Sequence, residues 1–164
     1  MKVEKYLQEV AKAIIARKVG GKLMNLPALW KHPEEKTVGI SIDGGFGILV
    51  DEDLDIFQIH TENFRILKED LADSDWRNYE KFVLTGIKKE LPSGALKKKN
   101  ATLAELVSEA GRKIWINEKY LKYFDRHADF YQKCDGSMIC ISDAMYKGCV
   151  PILKAVVMPV RYSE

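Results

Sequence analysis

The chain lacks the features that most quickly assign a protein to a class. Its three cysteines, Cys134, Cys140 and Cys149, are odd in number and bunched, so they set out no disulfide framework. Met1 to Val19 carries charges along its whole length, which leaves no cleavable export signal in that stretch. A reducing, cytoplasmic setting is the expectation. Charge of one sign is also missing, because 26 basic residues stand against 24 acidic ones, a net +2. General polyanion binding is therefore not implied, and any nucleic-acid surface has to come from local clustering. No apolar run approaches the roughly 20 residues that a membrane span needs, so neither a span nor a membrane partner is expected.

Catalytic constellations are missing too. Gly44-Gly45-Phe46-Gly47 has no Gly-Lys-Ser/Thr ending and precedes a strand pattern, so it reads as a hairpin turn and not as a phosphate loop. The three cysteines and His127 form no close Cys-x-x-Cys pair, and Cys140 sits in an alternating apolar run where a small buried residue belongs. Asp51, Glu52, Asp53 and Asp55 do not have the spacing of a calcium loop. His60 and His127 have acidic neighbours in sequence, which is not convergence in a pocket. The expectation is a protein that is not an enzyme and needs no metal or cofactor.

What is present suits one domain, since 164 residues at 46% apolar content can bury a full core. Val3, Leu7, Val10, Ala11, Ile14 and Ile15 recur at helical spacing up to Arg17, and Gly20-Gly21 supplies a stop. Leu23 to Pro33, with Pro27 and Pro33, reads as an irregular connection anchored by Leu26, Leu29 and Trp30. From Thr37 the period becomes two. Val38, Ile40 and Ile42 alternate, Asp43-Gly44-Gly45 turns, and Phe46 to Val50 returns. Leu54 to His60 and Phe64 to Leu67 offer two further strand runs.

The middle is less regular. Lys68 to Ser74 reads as a turn or short helix, and Trp76 to Ile87 as a helix turning into a strand. Pro92-Ser93-Gly94 breaks the chain, Lys97 to Lys99 follows, and Thr102-Leu103-Ala104-Glu105 has the pattern of a capping box opening a helix that stops at Gly111. Residues 68–111 thus look like a variable insertion. Ile114 and Ile116 then alternate as a strand, Asn117 caps, and Glu118 to Arg126 reads as a helix burying Tyr120, Leu121 and Phe124. Strands Phe130 to Lys133, Ser137 to Ser142 and Val150 to Val160 follow, separated by Asp135-Gly136 and Lys147-Gly148.

The order of helix then strands therefore occurs twice, in residues 1–67 and 112–164. The expected fold class is α+β: one domain spanning 1–164, built of two helix-plus-antiparallel-meander halves with the helices packed on one face of a curved sheet.

Within Lys113 to Tyr162, Asn117-Glu118-Lys119-Tyr120-Leu121 resembles the Asn-x-x-Tyr-Leu opening of the last helix in the bacterial DNA sliding clamp, the processivity ring of DNA polymerase III. Asp135 to Ser142 resembles that family's turn and strand, and Ala155 to Arg161 its terminal strand and Met-Pro-x-Arg tail. The resemblance implies a clamp-like domain of DNA replication or repair whose helices face DNA. A bacterial clamp subunit has three such domains and this chain has room for one, so a ring would need self-association. The N-terminal half matches only in the order of its elements.

By the same resemblance, Met158, Pro159, Val160 and Arg161 would line a groove for clamp-binding peptides. Methionine adapts to varied apolar side chains, proline fixes the backbone, and arginine offers a guanidinium. An ordinary edge strand ending in a solvated arginine would read the same way. Double-stranded DNA would meet Lys5, Lys12, Arg17 and Lys18 on the first helix and Lys119, Lys122 and Arg126 on the last. Any solvated amphipathic helix also carries such residues. An alternative reading is a phage or mobile-element protein that binds and inhibits another protein, with no DNA function.

Overall fold

A computed structural model describes residues 2–19, 27–31, 37–51, 64–66, 75–91, 101–124, 127–143 and 150–162. They form a single domain dominated by one sheet. The helix α1 spans Val3–Val19, and ten strands follow: β1 (Ala28–Lys31), β2 (Thr37–Ser41), β3 (Phe46–Asp51), β4 (Arg65–Ile66), β5 (Glu80–Leu91), β6 (Ala101–Ser108), β7 (Lys113–Asn117), β8 (Asp129–Gln132), β9 (Ile139–Ser142) and β10 (Leu153–Val157). Two short 3-10 turns, Trp76–Asn78 and Glu118–Tyr123, complete the described elements. No helix among the described residues is long and apolar enough to cross a membrane.

The strands are ordered β4-β1-β2-β3-β10-β9-β8-β5-β6-β7. Every pairing is antiparallel except that of β1 with β4. The last strand made is thus the one on which the sheet is joined, because β10 lies between β3 and β9. The chain running on from β10 then reaches the far end of the sheet, where Val160 bridges Trp115 in β7. The Val160 N–H donates to the Trp115 carbonyl at 2.7 Å. The sheet is therefore curled far enough for its β7 end to meet the continuation of β10.

That curl encloses one apolar core. Ile48 and Val50 of β3, Ile114 and Ile116 of β7, and Ile139 and Ile141 of β9 turn inward at period two. Tyr6, Val10 and Ile14 of α1 meet them as one stripe at four-residue spacing. Ile15 lies off the stripe and is 63% exposed, although its place in the sequence suggested burial. A second cluster of Trp30, Leu49, Trp76, Tyr131, Cys140, Leu153 and Val156 covers the other face. Leu153 and Ala155 should share a face by alternation, yet they belong to different clusters. The register shift against β9 between them accounts for this, since one extra residue inverts every side chain beyond it.

Several expectations need correction. Ala28–Lys31, expected in an irregular connection, is a strand, with Leu29 paired to Ile40. Residues 76–87 do run from a helical turn, a short 3-10 one, into a strand as expected, but the helix expected from Thr102 to Gly111 is β6, paired on both sides. The segment read as an insertion thus supplies two strands of the sheet. The glutamate expected to close a capping box, Glu105, is buried in β6 with Lys113 Nζ 3.8 Å from its carboxylate. The helix expected over Glu118–Arg126 is a 3-10 turn over Glu118–Tyr123. Its cap is as expected, the Asn117 side chain accepting from the Lys119 N–H at 3.1 Å. Leu26, the run Leu54 to His60, Gly20-Gly21 and the Lys147-Gly148 turn lie outside the described residues.

The 3-10 turn is held to the rest by phenols. Tyr123 donates to Glu9 Oε2 on α1, Tyr120 donates to Asp43 Oδ2 at 2.8 Å, and Tyr6 accepts from the Ile42 N–H and donates to the Phe46 carbonyl. Burial is the main cause that pushes all three phenols above their ordinary value, and the hydrogen bonds to Glu9 and Asp43 push Tyr123 and Tyr120 further. Glu9 is held below the usual carboxylate range, first by the Tyr123 hydroxyl and then by Lys122. The folded protein keeps phenol protons that the unfolded chain releases near pH ~10. Stability from these groups is complete below that pH and is lost as pH rises through the higher folded values. Tyrosinate absorbance should therefore rise in two phases, with Tyr6, Tyr120 and Tyr123 ionising only as circular dichroism reports unfolding. A single reversible phase with the fold intact would contradict this arrangement.

Candidate functional site

The residues after β10 run from the turn between β2 and β3 to β7, the strand at one end of the sheet. Met158 is fastened by its N–H to the Gly45 carbonyl at 2.8 Å, in the turn between β2 and β3. Val160 is fastened to Trp115 as described, and Tyr162 packs edge-on against the Trp115 ring, with centroids 5.2 Å apart. Trp115 is free to take that role because its neighbours Ile114 and Ile116 point to the core, which turns the indole to the other face.

This tail borders two surface clefts. The first, of about 190 Å³, has Met158 and Met138 in its lining together with Trp30, Gly45, Phe46 and Arg65. Two flexible, polarizable thioethers beside an indole make a surface that adapts to varied apolar groups. The second, of about 470 Å³, is lined by Pro159, Val160, Arg161 and Tyr162 of the tail and by Lys113, Trp115 and Gln132. Gln132 is fully buried and its Nε2 donates to the Ser137 carbonyl at 3.0 Å. Its Oε1 is buried without a hydrogen-bond partner among the described residues. Leaving such an acceptor unsatisfied costs about 1–3 kcal/mol.

All four tail residues singled out in the sequence thus border a cleft: Met158 the first, and Pro159, Val160 and Arg161 the second. Met158 is 39% exposed, a large apolar side chain presented to solvent. The remaining lining was not legible as a site, because Trp30, Met138, Trp115 and Tyr162 come from separate elements. The one local signal was Trp115, a large aromatic at the outward position between two core isoleucines.

The basic residues divide differently. Lys5 and Lys12 are exposed on α1 and lie two turns apart on one stripe. Arg17 and Lys18 belong to α1, but their side chains are outside the description, as is Arg126. Lys119 Nζ lies 3.6 Å from Asp43 Oδ2 and over the Tyr120 ring, 4.9 Å from its centroid. Lys122 Nζ lies 3.1 Å from Glu9 Oε1 and over the Tyr123 ring, also at 4.9 Å. Both lysines of the 3-10 turn are thus engaged by carboxylates of other elements. Their charge is partly offset before any phosphate could be met.

Cys140 is buried in β9 and Cys134 is exposed, while Cys149 lies outside the described residues. Among the described residues, no group of three or more His, Cys, Asp and Glu side chains could hold a metal ion. Compared with models of protein families, with curated proteins and with solved structures, the chain finds no match.

Proposed function

We propose that this protein is a clamp-like binding module of DNA replication or repair that acts without catalysis and captures a short peptide of a partner protein against its tail. The observation that carries this reading is the passage of Met158 to Tyr162 along two clefts, with methionines and an indole at the first and the Arg161 guanidinium at the second. An extended peptide meets such a surface with an apolar anchor at the first cleft and a carboxylate or carbonyl acceptor for the guanidinium at the second. Both clefts are walled by residues of this one chain, so a self-partner is not needed to complete them. The arrangement of strands suits the clamp reading too. In each half a helical element precedes a three-stranded meander, and the third strands, β3 and β10, pair antiparallel, as a two-fold relation between halves requires.

Double-stranded DNA is the second reading, supported by Lys5 and Lys12 on the exposed stripe of α1. The pairing of Lys119 with Asp43 and of Lys122 with Glu9 makes it the weaker of the two.

The test begins with peptides selected from a random display library on the native protein and measured by fluorescence anisotropy. Met158→Asp and Arg161→Glu alter exposed tail side chains and should each weaken the selected peptides by about tenfold or more, as loss of a central anchor or a charge contact does. Selected peptides that bind both variants as well as they bind the native chain would sink the reading. Light scattering with primed duplex DNA at low and moderate salt tests the other branch. A discrete, salt-sensitive complex there, together with failure of the peptides, would move the assignment to DNA.

A further inference from the structure

The first cleft is apolar at one end only. Arg65 in β4 is directly opposite Ala28 in β1, which is opposite Ser41 in β2. Ser41 is opposite Gly47 in β3, and Gly47 is opposite Val156 in β10. Residues opposed in this way share a face of the sheet, so the five form one row across it, and all five line the cleft. The small residues Ala28, Ser41 and Gly47 make the middle of the row a trough. Met158 follows β10 and Met138 precedes β9, which places both thioethers at the Val156 end, and Arg65 stands at the other.

Among the described residues lining the cleft, Arg65 is the only charged one. It is exposed, and its guanidinium has no hydrogen bond or ion pair among the described residues. Arg112, by contrast, is bonded to Glu80 and Asp135, and Arg77 to the Pro151 carbonyl. The acid in the adjoining β2–β3 turn, Asp43, accepts from the Tyr120 hydroxyl and the Gly45 N–H and has Lys119 Nζ at 3.6 Å. An unmet guanidinium at the end of an apolar trough fits a carboxylate, which can take two parallel hydrogen bonds from it.

The surroundings of Arg65 favour the carboxylate of an Asp or Glu side chain over that of a chain end. Capture of a C-terminus uses a nest of free backbone N–H groups. The amides of the turn beside the cleft are already bonded, Gly44 to Ser41 Oγ and Gly45 to Asp43 Oδ1. A phosphate, with three strong acceptor oxygens, would find too few donors. Four strand spacings of ~4.8 Å put Arg65 roughly 19 Å from Val156 along the sheet, a distance that an extended segment covers in about six residues.

We propose that Arg65 makes the first cleft selective for a peptide that carries an Asp or Glu within about six residues of the apolar side chain held at the methionines. The proposal rests on the peptide reading of the tail and adds what the captured segment contains.

The probe is a random dodecapeptide display library passed over the native protein and over Arg65→Glu, which alters an exposed side chain. The native pool should be enriched in Asp or Glu near a shared apolar position, and the Arg65→Glu pool in Lys or Arg at the same place. In the tightest native peptide, replacing that acid by its amide should weaken binding by about fivefold in fluorescence anisotropy, and should make no difference on Arg65→Gln. Replacing it by lysine should restore binding to Arg65→Glu. Arg161→Glu should leave this preference in place, because its guanidinium belongs to the second cleft. Peptides that Met158→Asp weakens but that bind Arg65→Glu as well as the native chain would overturn the proposal and leave the peptide reading standing. So would peptides that need a free C-terminus and tolerate loss of the internal acid. Peptides indifferent to both Met158→Asp and Arg161→Glu would remove the reading and the proposal together.

Discussion

Gly39→Ala is expected to destabilise the protein by about 3 kcal/mol or more, near the upper end of what overpacking costs. Trp30 in β1 is directly opposite Gly39 in β2, and its buried indole lies over both Gly39 and Gly47 of β3. A methyl group at either glycine would sit closer to indole carbons than 3.0 Å, a separation that real β-carbons essentially never show. The obstacle is a rigid bicyclic ring that is 2% exposed, so no flexible chain end can move aside. Denaturant unfolding should show a lower midpoint with an unchanged slope. Combining Gly39→Ala with Trp30→Ala should cost much less than the sum of the two, because the second change removes what the first collides with. An unchanged midpoint for Gly39→Ala, or simple additivity in the pair, would show that the indole does not rest there. Trp30 also lines the first cleft, so Gly47→Ala should weaken peptide capture even where the chain still folds.

That arrangement shows why parts of the fold were legible and others were not. β2 and β3 have a clean alternation and a glycine turn, Gly44 having a φ of +76°, and both strands lie where the sequence placed them. β1 is four residues long and lies between Pro27 and Pro33, so its signal is weaker than that of its flanks. β6 failed for a different reason. Leu103, Ala104, Glu105 and Leu106 are all buried, so a strand covered on both faces has no period of two, and Leu103, Leu106 and Val107 fall at helical spacing. β5 misled in the opposite sense, because its outer part is exposed on both faces.

The site followed the same logic. The tail could be named from its resemblance to a known motif, but what it packs against is set by the pairing of β10 with β3 and β9 and by the return to β7. Sequence separation hid those partners. It also hid the acids that engage the lysines of the 3-10 turn, since Asp43 and Glu9 are brought to Lys119 and Lys122 only by the core that joins α1, the β2–β3 turn and that turn.

Phe46 holds that junction together, and Phe46→Ala should cost about 3–5 kcal/mol, the range for removing a buried phenylalanine ring. The ring is 2% exposed. It stacks on Tyr120 at 4.8 Å and on Tyr123 at 5.5 Å, and it meets Tyr6 and Phe124 edge-on at 5.2 and 5.5 Å. Each such pair adds about 0.5–1.5 kcal/mol beyond burial alone, so Phe46→Leu, which refills most of the apolar volume, should recover only part of the loss. Calorimetry or denaturant unfolding of the two variants measures this order. The tyrosines give an independent readout, because the cavity left by Phe46→Ala exposes Tyr120 and Tyr123 to water and removes the main cause of their raised values. Their ionisation should then move down toward that of the exposed tyrosines while the protein is still folded. The effect should reach the tail as well, since the carbonyl that anchors the Met158 N–H belongs to Gly45, next to Phe46 in the chain. A Phe46→Ala variant that loses less than about 1 kcal/mol, well under the usual cost of such a truncation, or that titrates as the native chain does, would mean that the helix and the 3-10 turn are held to the sheet by something other than this ring.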